Sequence, residues 1–130
     1  MQVASAAAAE GEEVGGDVQT SQVLKTNSLV GDIGDQVVTA STIRFRPGER
    51  TRYHTHDYGQ TLVVTEGTGV VATEDERIEV SEGDIVFFPP DEVHWHGSAP
   101  DRDEDFEHVS IVVRDEVGEG THAVKDLDLD

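Results

Sequence analysis

The chain has 130 residues, of which 28 are acidic and 9 basic, for a formal charge of −19. That length suits one domain with a core of its own. There is no cysteine, which excludes disulfides, thiolate zinc sites and a cysteine nucleophile. A field so negative repels nucleic acid and anionic lipid, so neither is expected as a partner. No apolar run reaches the length of a membrane span. The start MQVASAAAAEGEE lacks a basic n-region and a long apolar stretch, so no signal peptide is expected and the cytoplasm is the expected compartment. Only Lys25 and Lys125 are lysines, against seven arginines. A dense carboxylate surface with few lysines fits work in very strong salt, where the Debye length falls to about 3 Å. A halophilic microorganism is the expected source.

Residues 1–30 are rich in Ala, Gly, Glu, Ser and Gln with little periodicity. They are expected to form a flexible N-terminal arm with one short strand near Val23 to Leu29. QVVTASTIRFR, from Gln36 to Arg46, is rich in β-branched residues and predicts a strand. Arg46-Pro47-Gly48 is a turn, after which GERTRYHTH resumes as strand. QTLVVTEG is another strand, ending at Gly67-Thr68-Gly69; GVVAT follows and reaches a polar tip at 74–77. IEV leads to the turn Glu82-Gly83-Asp84, and IVFF is a buried strand closed by Pro89-Pro90. VHWHG comes next, then an Asp-rich loop, then FEHVSIVVR as a last strand. Residues 116–130 are expected to be an acidic C-terminal tail, leaving 31–115 as the barrel. Short strands at close spacing with Gly and Pro turns, and no helical pattern, indicate an all-β sandwich or barrel. Phe45, Ile43, Leu62, Val64, Val86, Phe88, Val109, Ile111 and Val113 are the expected hydrophobic body.

The stretch RYHTHDYGQTL stands apart from the acidic background. Alternate side chains of a strand share a face, so His54 and His56 converge. Gln60 returns to the same point after the bend at 57–59. His94 and His96 repeat the spacing on another hairpin, and His108 lies within the last strand. Imidazole suits zinc, iron, manganese, nickel and copper, and three His with one oxygen donor leave positions open for water or substrate. Trp95 alternates away from its flanking histidines and is expected to pack, as is Tyr53. Arg52 shares the histidine face and is read chiefly as a partner for surface acids. His122, in the tail, is given no role.

Gly48-x5-His54-x-His56-x3-Gln60-x6-Gly67 resembles the first motif of the cupin superfamily, with Gln60 where Glu is usual. Gly83-x5-Pro89-x4-His94 resembles the second, with Asp91 in place of the usual Gly and Ser98 in place of the terminal Asn. The resemblance spans about residues 36–114 and implies a single-domain jelly-roll β-barrel with a divalent transition metal. More narrowly, HTHDYGQTLVVTEG with FFPPDEVHWHG is similar to small bacterial cupins that include hydroxynitrile lyases, and to cupins associated with carboxymuconolactone-decarboxylase-like proteins. That likeness implies manganese, with iron or zinc as alternatives, held by His54, His56, Gln60 and His94. It implies an acid/base role for His108. His96, two residues from His94, is a candidate for a functional or ring-holding role. Cupins are often dimers, and an exposed sheet edge gives a physical reason to expect a homodimer here.

An amide ligand leaves the ion its full charge, which favours polarisation and proton transfer over oxidation. The expected function is therefore a metal-dependent lyase or isomerase of a small carbonyl or hydroxyl compound, like a hydroxynitrile lyase. A metal-dependent oxygenase and a non-enzymatic small-ligand-binding cupin are the alternatives.

Overall fold

The structure, a computed structural model, describes residues 1–3, 12–14, 23–25, 29–115 and 120–124, with the backbone alone described at 12–14 and 23–25. The strands run β1 (Glu12–Val14), β2 (Val23–Lys25), β3 (Leu29–Ile33), β4 (Gln36–Phe45), β5 (His54–His56) and β6 (Gln60–Glu66). They continue as β7 (Thr68–Thr73), β8 (Arg77–Ser81), β9 (Ile85–Phe88), β10 (His94–Ser98), β11 (Phe106–Asp115) and β12 (Thr121–Ala123). Among the described residues there is no helix, and hence none long and apolar enough to cross a membrane.

Two antiparallel sheets result. One has the order β1-β2-β4-β11-β6-β9, with β3 also on β4; the other has the order β12-β5-β10-β7-β8. They close a single all-β domain. The strands expected over 36–46, 60–67, 85–88 and 106–114 are present as β4, β6, β9 and β11. The stretch expected to be strand from Gly48 is strand only at His54–His56, with an isolated bridge from Arg50 to Gly97. In the span predicted as an arm, β1 and β2 pair with each other, β2 continues onto β4, and β3 begins at Leu29. In the span predicted as a tail, β12 pairs with β5. The remainder of both spans lies outside the described residues.

Alternation along the strands builds the core. Phe45, Leu62, Val64, Val71, Val80, Phe88 and Phe106 form one buried cluster, with Ile43 and Val86 against it. Burying each such side chain contributes about 1.5–3 kcal/mol. Val109, Ile111 and Val113 alternate with the inward His108, Ser110 and Val112, so they face outward, and Val113 is 44% exposed. The expected hydrophobic body therefore divides between interior and outer face. Outside the five-stranded sheet, Tyr53, Ala72 and Trp95 make a second cluster, and the Arg50 guanidinium lies 3.5 Å from the Trp95 ring centre.

Two backbone features hold the site-bearing segments. Gly67 has φ +76°, and a Cβ there would fall 2.0 Å from the Asp105 carbonyl oxygen, so only glycine fits. Arg44 bonds Glu66, Asp105 and the buried Glu107 at 2.6, 2.8 and 2.6 Å. These bonds, that to Glu66 foremost, push its pKa further up. The guanidinium ties the acidic loop to the start of β11. A bulge between Glu107 and His108 against β6 then sets which way His108 points.

Candidate metal centre

The HTH of β5 turns His54 and His56 to the interior and Thr55 outward, as period-two alternation requires. β10 pairs with β5 so that His94 lies directly opposite His54. Ring centres are 4.8 Å apart for His54 and His56, 4.4 Å for His54 and His94, and 5.3 Å for His56 and His94. Each histidine offers one ring nitrogen, and these nitrogens all lie within 4.8 Å of one another. Gln60 opens β6 on the facing sheet, with its Oε1 3.0 Å from His56 Nε2. Its amide donates to Ser110 Oγ at 2.8 Å, which holds Oε1 towards the histidines. Phe88, the cross-strand partner of Gln60, stacks on His94 at 3.9 Å and closes that side.

Hydrogen bonds behind the rings decide which nitrogens face inward. His54 Nδ1 donates to the Arg52 carbonyl at 2.7 Å, and His94 Nδ1 to the Glu92 carbonyl at 2.9 Å. A carbonyl can only accept, so both Nε2 atoms are proton-free. His94 Nε2 is buried with no partner, an arrangement that costs about 1–3 kcal/mol if nothing binds there. His56 Nδ1 meets Thr121 Oγ1 at 2.9 Å. Asp91 stands at φ +67° in the turn before β10, and its N–H donates to the His56 carbonyl at 2.8 Å. The second motif usually has glycine at that position, and Asp is among the few residues that tolerate this region.

Burial holds the histidines neutral. It pushes His54 down to about 3, helped by neighbouring His94, and His94 down to about 4. His56 is lowered by burial as well. Neutral imidazoles present lone pairs without proton competition, as metal ligation requires. Three nitrogen donors, one of them the orphaned His94 Nε2, and one amide oxygen fit a divalent transition metal. His56 Nε2 and Gln60 Oε1, 3.0 Å apart, are close enough to serve one ion together.

His96 lies on the same face as His94, with its ring centre 5.6 Å from that of His54 and 6.0 Å from that of His94. His108 stands behind it, and His108 Nε2 and His96 Nδ1 are 3.1 Å apart. Phe45 and Phe106 wall the pair in. Burial drives His96 well below its usual pKa and His108 down to about 3. Both are thus neutral near pH 7, because burial disfavours the imidazolium.

Three residues at the site escape the sequence reading. Ser110 was reachable, because it lies two positions from His108 on the same face of β11. Thr121 and Tyr58 carry no such signal. His122, read as idle, bonds Asp57 at 2.9 Å on the exposed side of β12.

Two antiparallel sheets enclosing a cluster of neutral imidazoles define a jelly-roll barrel with a histidine triad that could hold a divalent metal. Residues 41–112 match the family described as Cupin domain, and the chain belongs to that family. It is 48% identical over 65 residues to an (R)-mandelonitrile lyase of Granulicella tundricola. That segment is 49% of this chain and 50% of the relative, so the chain matches about half of the relative's length. Among solved structures, a cupin-like protein of Thermotoga maritima is 32% identical with TM-score 0.71, covering 88% of this chain and 84% of the other. A polyketide cyclase of Streptomyces resistomycificus is 19% identical with TM-score 0.69, covering 92% and 87%; this likeness concerns the fold alone.

Proposed function

We propose that the chain is a metal-dependent lyase of small hydroxyl or carbonyl compounds, and that cyanohydrin cleavage is its reaction in sharpest form. The observation behind this reading is the convergence of four neutral donors, His54, His56, Gln60 and His94, beside a buried pair of neutral histidines. The partial likeness to a mandelonitrile lyase supports the substrate class. Manganese is the proposed ion.

A divalent ion held by neutral ligands supplies Lewis acidity to a substrate oxygen. The remaining work falls to the chain. His96 and His108 share one hydrogen bond and stand close to the triad. From that position the pair relays the proton of the substrate hydroxyl. The oxygen electrons then form the carbonyl, the carbon–carbon bond breaks, and its electron pair leaves with cyanide. Return of the proton gives hydrogen cyanide and an aldehyde. Phe45, Phe88 and Phe106 exclude water around the imidazoles.

The test is release of benzaldehyde and cyanide from mandelonitrile by manganese-loaded protein, with and without oxygen. Equal rates in both atmospheres are expected, with a loss of 10²–10⁴ in turnover for His108→Ala. Turnover that requires oxygen would point to an oxygenase, and tight binding without turnover to a ligand-binding cupin.

We also propose a homodimer. Ile85 and Phe87 on the edge strand β9 are 70% and 61% exposed, an apolar edge that a second copy would cover. Light scattering in strong salt decides it, with a monomer as the contrary result.

A further inference from the structure

Of the three histidines, one is held differently. His54 and His94 donate from Nδ1 to backbone carbonyls, which can only accept. Their tautomers are fixed by the backbone. His56 Nδ1 instead faces the Thr121 hydroxyl at 2.9 Å, which can donate or accept. On its other side, His56 Nε2 faces Gln60 Oε1 at 3.0 Å, which can only accept.

Without an ion, the contact to Gln60 requires the proton on Nε2, and Thr121 then donates its O–H to Nδ1. With an ion, His56 Nε2 and Gln60 Oε1 both give lone pairs to it. The proton must then sit on Nδ1, and Thr121 must turn from donor to acceptor. Tyr58 completes the exchange. Its hydroxyl lies 3.2 Å from Thr121 Oγ1, and its ring stacks on His56 at 5.0 Å. Tyr58 donates to Thr121 in the first state and accepts from it in the second.

Thr121 reaches His56 because it is the cross-strand partner of His56 in the β12–β5 ladder. Partners in a ladder share a face. That ladder has three residue pairs. Nearby it is braced by Asp57 N–H donating to the Gly120 carbonyl at 2.7 Å and Val124 N–H donating to the Tyr53 carbonyl at 2.9 Å.

We propose that Thr121 is a positioning residue that switches the His56 tautomer, so that filling the metal centre and docking the C-terminal strand β12 reinforce each other. The inference rests on the metal reading given above. Coupling of this kind is reciprocal: the ion tightens the strand, and the docked strand tightens the ion. A polarised Nδ1–H is also the stronger donor to the hydroxyl. Serine can play both hydroxyl roles, whereas valine, of the same shape as threonine, can play neither.

The experiment titrates zinc into the full chain, as wild type, Thr121→Val, Thr121→Ser and Tyr58→Phe, by calorimetry. Zinc, being diamagnetic, also allows the ring nitrogens of His56 to be followed by ¹⁵N NMR, and amide exchange over 120–124 is measured with and without zinc. Expected are affinity 10–100-fold weaker for Thr121→Val, near-wild-type affinity for Thr121→Ser, and an intermediate loss for Tyr58→Phe. In wild type the His56 proton moves from Nε2 to Nδ1 on loading, and β12 amides slow. Tyr58→Phe leaves the strand residue intact, so it carries the test if Thr121→Val does not fold. Unchanged affinity in Thr121→Val, or in Tyr58→Phe should the valine variant be lost, would overturn the proposal; so would a His56 proton that stays on one nitrogen or β12 exchange blind to zinc. Wild type that binds neither zinc nor manganese would instead overturn the metal reading beneath it.

Discussion

Lowering the pH of metal-free protein should unfold it, with the loss of stability beginning as the pH falls through the free-histidine range. His54, His94 and His108 are held by burial to about 3, 4 and 3, against 6.5 for a free imidazole. The unfolded chain therefore takes up protons near pH 6.5 that the folded chain refuses until near pH 3–4. Stability contributed by these groups is present in full above pH 6.5, falls as the pH drops, and levels off below the folded values. Each histidine contributes a slope of about 1.4 kcal/mol per pH unit, and three together about 4 kcal/mol per unit. His56 and His96 shift in the same direction and add to this. Against a domain stability of about 5–15 kcal/mol, unfolding is expected between about pH 4 and 5.5. The assay is urea denaturation in constant strong salt with chelator, from pH 7.5 to 5. His108→Leu should flatten the slope by about 1.4 kcal/mol per unit. A urea midpoint that does not move across this range, or a leucine variant with the wild-type slope, would refute the reasoning.

Gly67→Ala places a Cβ against the Asp105 carbonyl at a positive φ, and a loss of about 3 kcal/mol or more is expected in the same denaturation assay. Arg44→Ala strands Glu107, whose side chain is 7% exposed, between Glu66 and Asp105; it should cost about 3 kcal/mol, and Arg44→Lys should recover only part because an ammonium lacks the guanidinium fork. The charge of −19 predicts a melting temperature that rises from dilute buffer to multimolar salt, and equal values in the two would contradict the high-salt reading.

Much of this was legible in the chain because the signals are local. Gly and Pro turns bracket β6 and β9, and two-residue spacing alone turns His54 and His56 to one side. The glycine of the second motif is absent, yet Asp91 keeps the left-handed turn that brings β10 to β5, so the departure is conservative in backbone terms. The placement of His108 beside His96 depends on the Arg44 anchor and the bulge at Glu107, which join residues far apart in sequence. Thr121 was illegible for the same reason. Its only qualification is a pairing register with His56 across 65 positions, and no local pattern announces it. The outward Val109, Ile111 and Val113 carry the same composition as inward strands; only the sheet pairing tells which face they take.

The central claim is that His54, His56, Gln60 and His94 hold a metal. Elemental analysis of protein purified in strong salt without added metal tests it most directly, beside a His54→Ala/His56→Ala variant confirmed to be folded. The account predicts about one transition-metal ion per chain, manganese foremost, and its loss in the variant. No stoichiometric metal in the wild type, even after reconstitution with manganese, iron and zinc, would contradict it.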